Sequence, residues 1–327
     1  MMGLLNLGLG CEPGVAPPVE GEHGTTVDSD GDGFPSWTTT NDPLLADCDD
    51  ASAAVTPEQE VYVPGGPFTR GTLAVPHAEP VRTITLKPYC IDRTEVTNAD
   101  FVVLLEQREA SGQPNADDQD RDLYDIWDAD DDFPQRLAQT EGRWSIMAGY
   151  EDHPVVEVWE WSAEFYCGQL GKHVPTEAQW EKAARGDSDA RSFPWGDEEP
   201  TCDKANFAPV FVDEPESEGP CVLDTSPVDE LPAGRTPSGI AGLAGNASEW
   251  VSDWFDPSAY LSDDENDPSG PAVGATYDDG VGVYVARISR GGGLLSPAES
   301  LHVSYRFPEP EDATSNGIGF RCARKLE

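Results

Sequence analysis

The sequence predicts an α+β fold with little regular secondary structure, in which short strands and a few helices are joined by long loops. Three observations carry that expectation. The 327 residues include 32 Gly and 29 Pro, the residues that most often break regular elements. Hydrophobic residues make up only 38% of the chain, yet 9 Trp, 9 Tyr and 11 Phe supply the bulk for a core. Periodic stretches are few and short. Val61–Phe68 alternates and then turns, which reads as a strand entering a hairpin, and Val81–Leu86 alternates as a second strand. Glu95–Glu109 carries a helix capped by Thr97, with Phe101, Leu104 and Leu105 on one face. Trp161–Leu170 forms another helix, with Glu164 and Tyr166 interleaved. Thr176–Arg185 is a third: Thr176 and Gln179 make a capping box, Trp180, Ala183 and Ala184 form its apolar stripe, and Gly186 ends it.

Charge narrows the partners. With 62 Asp+Glu against 20 Lys+Arg the formal charge is −42. Such a surface repels phosphate backbones and anionic lipid heads, which excludes a nucleic-acid partner but not divalent cations. The sequence divides into residues 1–27, a truncated signal and flexible tether; residues 28–60, a small acidic motif; and residues 61–327, the main domain.

The N-terminal run MMGLLNLGLG ends on Cys11 and resembles the end of a bacterial lipoprotein signal, without the basic residues that usually precede it. The expectation is an exported protein, held at the outer membrane or cell envelope by a lipid on Cys11, or otherwise plainly secreted. Lipid analysis of the mature N-terminus tests this, and a free Met1 would contradict it. Any membrane contact would run through that anchor alone. Setting Cys11 aside leaves six cysteines, with no CxxC pair, and an even number fits a disulfide framework in an oxidising compartment. Six cysteines allow 15 pairings.

In the acidic motif, Asp28, Asp30 and Asp32 stand at alternate positions with glycines at the turn. Such hard oxygens suit Ca²⁺, with the carbonyl of Phe34 as a fourth ligand and Asp47, Asp49 and Asp50 supplying the rest. The glutamate of an EF-hand loop is missing, since Thr39 holds its position. The plain alternative is a solvated acidic linker.

The main domain carries a series of ordered motifs: Cys90-Ile-Asp-Arg-Thr-Glu-Val-Thr-Asn98, His153-Pro-Val-Val156 and Leu170-Gly-Lys-His-Val-Pro-Thr-Glu-Ala-Gln-Trp-Glu-Lys-Ala-Ala-Arg-Gly186. Phe193-Pro-Trp-Gly196, Gly245-Asn-Ala-Ser-Glu-Trp250 with Trp254, Arg290-Gly-Gly292 and Gly319-Phe-Arg-Cys322 follow. From about Val61 to Arg324 the chain resembles the formylglycine-generating enzyme (sulfatase-modifying factor) family. The resemblance implies a modified C-type-lectin-like fold with short sheets, a few helices and long loops.

It also implies chemistry that this sequence does not carry. Family members that oxidise a substrate cysteine use two cysteines flanking a Tyr-Arg element. Here Ser304-Tyr305-Arg306-Phe307 keeps the Tyr-Arg pair, but no cysteine lies between Cys221 and Cys322. A copper dithiolate is therefore not expected. Of the five histidines, His153 and His173 fall inside framework motifs, and His302 lies beside the lost cysteine position. His302, Ser304, Tyr305 and Arg306 are the candidate ligand cleft. The first functional reading is a non-oxidase binding or scaffold domain that takes a peptide, glycan or protein. The second is an enzyme of another kind using the same cleft, and the third a structural envelope component.

The resemblance further implies a Cys167–Cys322 disulfide. Cys202 and Cys221 flank one acidic loop and close it, which leaves Cys48 and Cys90 for each other. It places calcium near Gly245, Ala247 and Glu249, with Gly242 where an upstream acid would stand, and matches Asn206 to a second calcium site. Two acidic insertions, Asp117–Asp132 and Asp263–Asp267, read as solvated loops, the first alternatively as a docking segment through Tyr124, Ile126 and Trp127.

Overall fold

A computed structural model describes residues 29–30, 34, 36, 46, 48–49, 59–125, 135–186, 191–209 and 221–326. Cys11, Asp28, Asp32, Asp47, Asp50, Ile126 and Trp127 lie outside the described residues. Among those described are four short helices and twelve strands in open sheets, an α+β architecture dominated by loops.

Two strands open the domain, β1 (Glu60–Val63) and β2 (Gly66–Arg70), followed by β3 (Arg82–Leu86) and β4 (Tyr89–Asp92). The strand expected to enter a hairpin over Val61–Phe68 ends at Val63, and the chain beyond the turn is a second strand in another sheet. β1 pairs antiparallel with β4, whereas β2 pairs with β3. The break falls at Pro64-Gly65 on one chain and Lys87-Pro88 on the other. Proline cannot donate to a ladder, and Gly65 lies so close to Pro88 that a Cβ would sit 2.8 Å from its ring. One long hairpin is thus cut at the same level on both sides.

Helix α1 (Asn98–Ala110) begins where Thr97 and Asp100 exchange a capping box, and it buries Phe101, Val102 and Leu105. Strands β5 (Leu137–Thr140) and β6 (Arg143–Ile146) form a small hairpin against it. Helix α2 (Glu160–Gln169) and helix α3 (Glu177–Arg185) follow. The second large sheet holds β7 (Ser248–Trp254), β8 (Thr276–Asp278), β9 (Val283–Arg290), β10 (Phe307–Pro310) and β11 (Ile318–Gly319). The short helix α4 (Ala259–Ser262) lies between β7 and β8, and the final strand β12 (Ala323–Lys325) returns to β4.

Two cores result. Trp180 of α3 sits among Phe68, Ile84, Tyr89, Leu243 and Ile288; Phe101 of α1 stacks on Tyr166 at 5.6 Å beside Trp250 and Phe320. The Cys167–Cys322 disulfide crosses the second core, Cys202–Cys221 closes its loop, and Cys48–Cys90 fastens the acidic motif to β4. The acidic insertions are not simply solvated. Tyr124 is a core residue, and Asp263 is buried against Arg70. No described helix is long and apolar enough to cross a membrane.

Candidate functional site

Helix α3 organises the region where the candidate cleft falls. Its apolar stripe is buried as expected, but so is its charged face: Glu177, Glu181 and Arg185 recur every four residues on one side and are all buried. Glu177 accepts from Arg306 Nε at 2.6 Å and Nη2 at 3.0 Å, and from Arg70 Nη2 at 2.7 Å. Arg290 Nη1 stands 3.4 Å from the same carboxylate. Glu181 accepts from Arg290 Nη2 at 2.8 Å, Ser304 Oγ at 2.9 Å and the Gly71 backbone N–H at 2.7 Å. Tyr260 covers the assembly, donating to Glu181 at 3.1 Å and lying 3.9 Å beneath the Arg70 guanidinium. Burial pushes both carboxyls up, but the arginines outweigh it. They hold Glu177 below its ordinary value and Glu181 down at about 2.

This network absorbs the centre of the predicted cleft. A turn at 302–305, closed by the Tyr305 N–H on the His302 carbonyl at 2.8 Å, leads into β10; Ser304 and Arg306 are buried and Tyr305 between them is half-buried. Ser304 is fully buried between Glu181 and Arg185. Arg306 is 2% exposed, and the one nitrogen not bound to Glu177, Nη1, donates to the carbonyls of His77 and Asp256, at 3.0 and 3.1 Å. Neither residue is open to a ligand, which corrects the expectation of an accessible Ser304–Arg306 cleft. His302 is half-buried and its Nδ1 accepts the Ser304 N–H at 3.0 Å; burial, with Arg185 nearby, lowers it to about 4 and keeps it neutral. His153 and His173 make framework hydrogen bonds, to Thr225 at 2.9 Å and Gln179 at 3.0 Å.

All six described cysteines are in disulfides, so the described residues offer no thiolate pair and do not fit a copper site. The three bridges fit an extracytoplasmic protein.

Two of the calcium donors implied inside the main domain, Glu249 and Asn206, have internal partners. Glu249 is fully buried and accepts from Arg321 Nε and Nη2, both at 2.7 Å, and from Trp180 Nε1 at 2.8 Å. The space beside Gly242 is filled by Glu95, a residue the motif reading missed: a Cβ at Gly242 would lie 2.0 Å from Glu95 Oε2. That oxygen accepts no hydrogen bond among the described residues and stands 3.8 Å from Arg321 Nη2, and burial together with Glu249 pushes Glu95 up to about 8. A fixed guanidinium thus stands against both carboxylates, where a divalent ion would meet a like charge. The Asn206 carboxamide binds the Val222 N–H at 3.0 Å and the Asp224 carbonyl at 2.8 Å, pinning the segment after Cys221. Gly245 and Ala247 are buried beside it. Glu249 and Asn206 are thus already engaged, the first by a guanidinium and the second by backbone. In the acidic motif, Asp49 reaches Arg324 at 3.3 Å, while Asp30 and Phe34 are half-buried.

Comparison with known proteins follows the same lines. The sulfatase-modifying factor enzyme 1-like domain matches residues 47–326. The formylglycine-generating enzyme of Streptomyces coelicolor is 33% identical over 300 residues, covering 82% of this chain and 90% of that protein. The serine/threonine-protein kinase pkn1 of Chlamydia caviae is 33% identical over 270 residues, but this chain spans only 38% of that kinase's length. PvdO from Pseudomonas aeruginosa shares the fold, with a TM-score of 0.54 and 23% identity over 82% of this chain and 94% of that one. The motifs, the fold and these likenesses agree: the chain belongs to the sulfatase-modifying factor family.

Proposed function

We propose that the protein is a non-oxidase member of the family, an extracytoplasmic binding or scaffold domain tethered through Cys11. One observation carries the reading: the sequence has no cysteine between Cys221 and Cys322, and its other described cysteines are tied in disulfides. Thiol oxidation needs a reactive thiolate, and a disulfide cannot supply one. The tight packing of Ser304 on Glu181 and of Arg306 on Glu177 supports the same reading, because a salt-bridged core stands where an open cleft was expected. Incubation with a Cys-x-Pro-x-Arg peptide, copper and oxygen is expected to give no formylglycine by mass spectrometry. Clear turnover would overturn the proposal.

Calcium enters this reading through the N-terminal acidic motif alone. Asp28, Asp30 and Asp32 with Asp47, Asp49 and Asp50 provide enough oxygens for one ion, and Cys48–Cys90 would pass its ordering on to β4. Added Ca²⁺ is expected to raise the melting temperature of the full chain. The rise should disappear in a variant combining Asp30→Asn and Asp32→Asn. If it survives there, the ion lies elsewhere.

A further inference from the structure

A pocket of about 700 Å³ opens between α2, the loop that follows α1, β7 and β9 at Trp254 and Arg287, and the turn after β10; neither Glu177 nor Glu181 lines it. Six carboxylates line it: Asp117, Asp118, Glu160, Glu164, Glu311 and Asp312. Among the described residues two guanidiniums line it as well, and a third, Arg108, lies over Phe165. Arg121 is taken by Asp117, Nε to Oδ2 at 2.7 Å, and Arg287 stands 3.0 Å from Glu160. The other four carboxylates form no ion pair among the described residues. Glu160 is 3% exposed yet lines the pocket, and among the described residues Arg287 is the one side chain that pairs with it. A buried carboxylate with so little compensation is costly unless a further positive charge comes near.

The walls are equally selective. Trp161, Trp254 and Phe165 each already carry a guanidinium on one face, from Arg121 at 4.7 Å, Arg287 at 3.7 Å and Arg108 at 4.7 Å. Aromatic faces stacked this way favour cations and offer apolar surface to an alkyl chain between them. A single metal ion does not suit the site, since no three of its carboxylates converge closely enough to hold one. Charge spread along a cavity of this size matches a ligand whose positive groups are also spread.

We propose that this pocket binds an extended organic polycation, with ammonium or guanidinium groups spaced along an apolar chain, as in a polyamine or a lysine- and arginine-rich peptide segment. The assignment is independent of whether the domain oxidises anything.

Calorimetric titration at about 0.15 M salt, where diffuse attraction to the acidic surface is screened, tests it. The probes are spermidine and a short peptide alternating lysine and arginine. Glu164 and Glu311 are exposed, so Glu164→Gln with Glu311→Gln leaves the fold intact. A matched control, Asp264→Asn with Glu265→Gln, removes the same charge from exposed positions outside the pocket. Wild type is expected to bind, the pocket variant about tenfold more weakly, and the control within about twofold of wild type. Binding of the peptide alone would identify a protein ligand, binding of spermidine alone a small molecule, and either supports the assignment. Failure of both probes to bind at about 1 mM, or equal losses in the pocket and control variants, would overturn it.

Discussion

Replacing Glu177 with glutamine is expected to destabilise the protein by about 3–5 kcal/mol, a drop of roughly 10 °C in melting temperature for a domain of this size. The carboxylate is 1% exposed and is the shared partner of Arg70, Arg290 and Arg306, all of them buried. An amide of the same shape leaves three guanidiniums facing one another, with Glu181, Asp263 and Asp253 to balance them. Removing a cation has a smaller effect. Arg306→Met strands the carbonyls of His77 and Asp256, but Glu177 keeps Arg70 and Arg290. Urea unfolding of the two variants therefore ranks them, with Glu177→Gln the less stable. The reverse order, or a Glu177→Gln loss below about 1 kcal/mol, would mean that the network carries little of the fold's stability.

The same network marks the limit of what the sequence discloses. The ends and apolar stripe of α3 are legible because Thr176, Gln179 and Gly186 act through neighbours in the chain. Its charged face is not, since glutamates on a helix are ordinarily solvated. Glu177 and Glu181 are buried because arginines more than 100 residues away in sequence close over them. Ser304-Tyr305-Arg306 has the residue types of a binding cleft, and only the partners show that two of the three face the core. Glu95 is hidden for a related reason: nothing local indicates that its carboxylate fills the space beside Gly242. The break of Val61–Phe68 into two strands was open to a local reading, because Pro64 and Gly65 interrupt the alternation, but its matching break at Lys87-Pro88 depends on pairing. The disulfides stand at the other extreme. The family motifs and the loop flanked by Cys202 and Cys221 point to the same pairs that the structure joins.

Stability is expected to fall as pH rises from about 4 to 7, and Asp253 is the residue that shows why. It lies at the edge of the same network, 2% exposed, with Oδ2 accepting the Glu177 N–H at 2.8 Å and Oδ1 accepting nothing. Desolvation, reinforced by the neighbouring Glu177 charge, raises its carboxyl from 3.8 to about 7. Between those values the folded state holds a proton that the unfolded state has released. Unfolding therefore becomes easier by up to about 1.4 kcal/mol per pH unit, and the slope vanishes above the folded value, where both states are ionised. Glu160, raised to about 7 chiefly by burial, adds a slope of the same sign. Glu177 and Glu181 act oppositely: their lowered values cost stability only as pH falls through the ordinary carboxylate range and below. The two tendencies place the optimum near about pH 4. Asp253→Asn removes one titration without removing the shape. It is expected to gain on wild type between pH 4 and 8 by up to about 4 kcal/mol, the full value of the shift, with less if the site relaxes or admits water. Chemical denaturation at unit pH intervals reads this directly, and parallel stability curves for variant and wild type would show that Asp253 is ionised throughout.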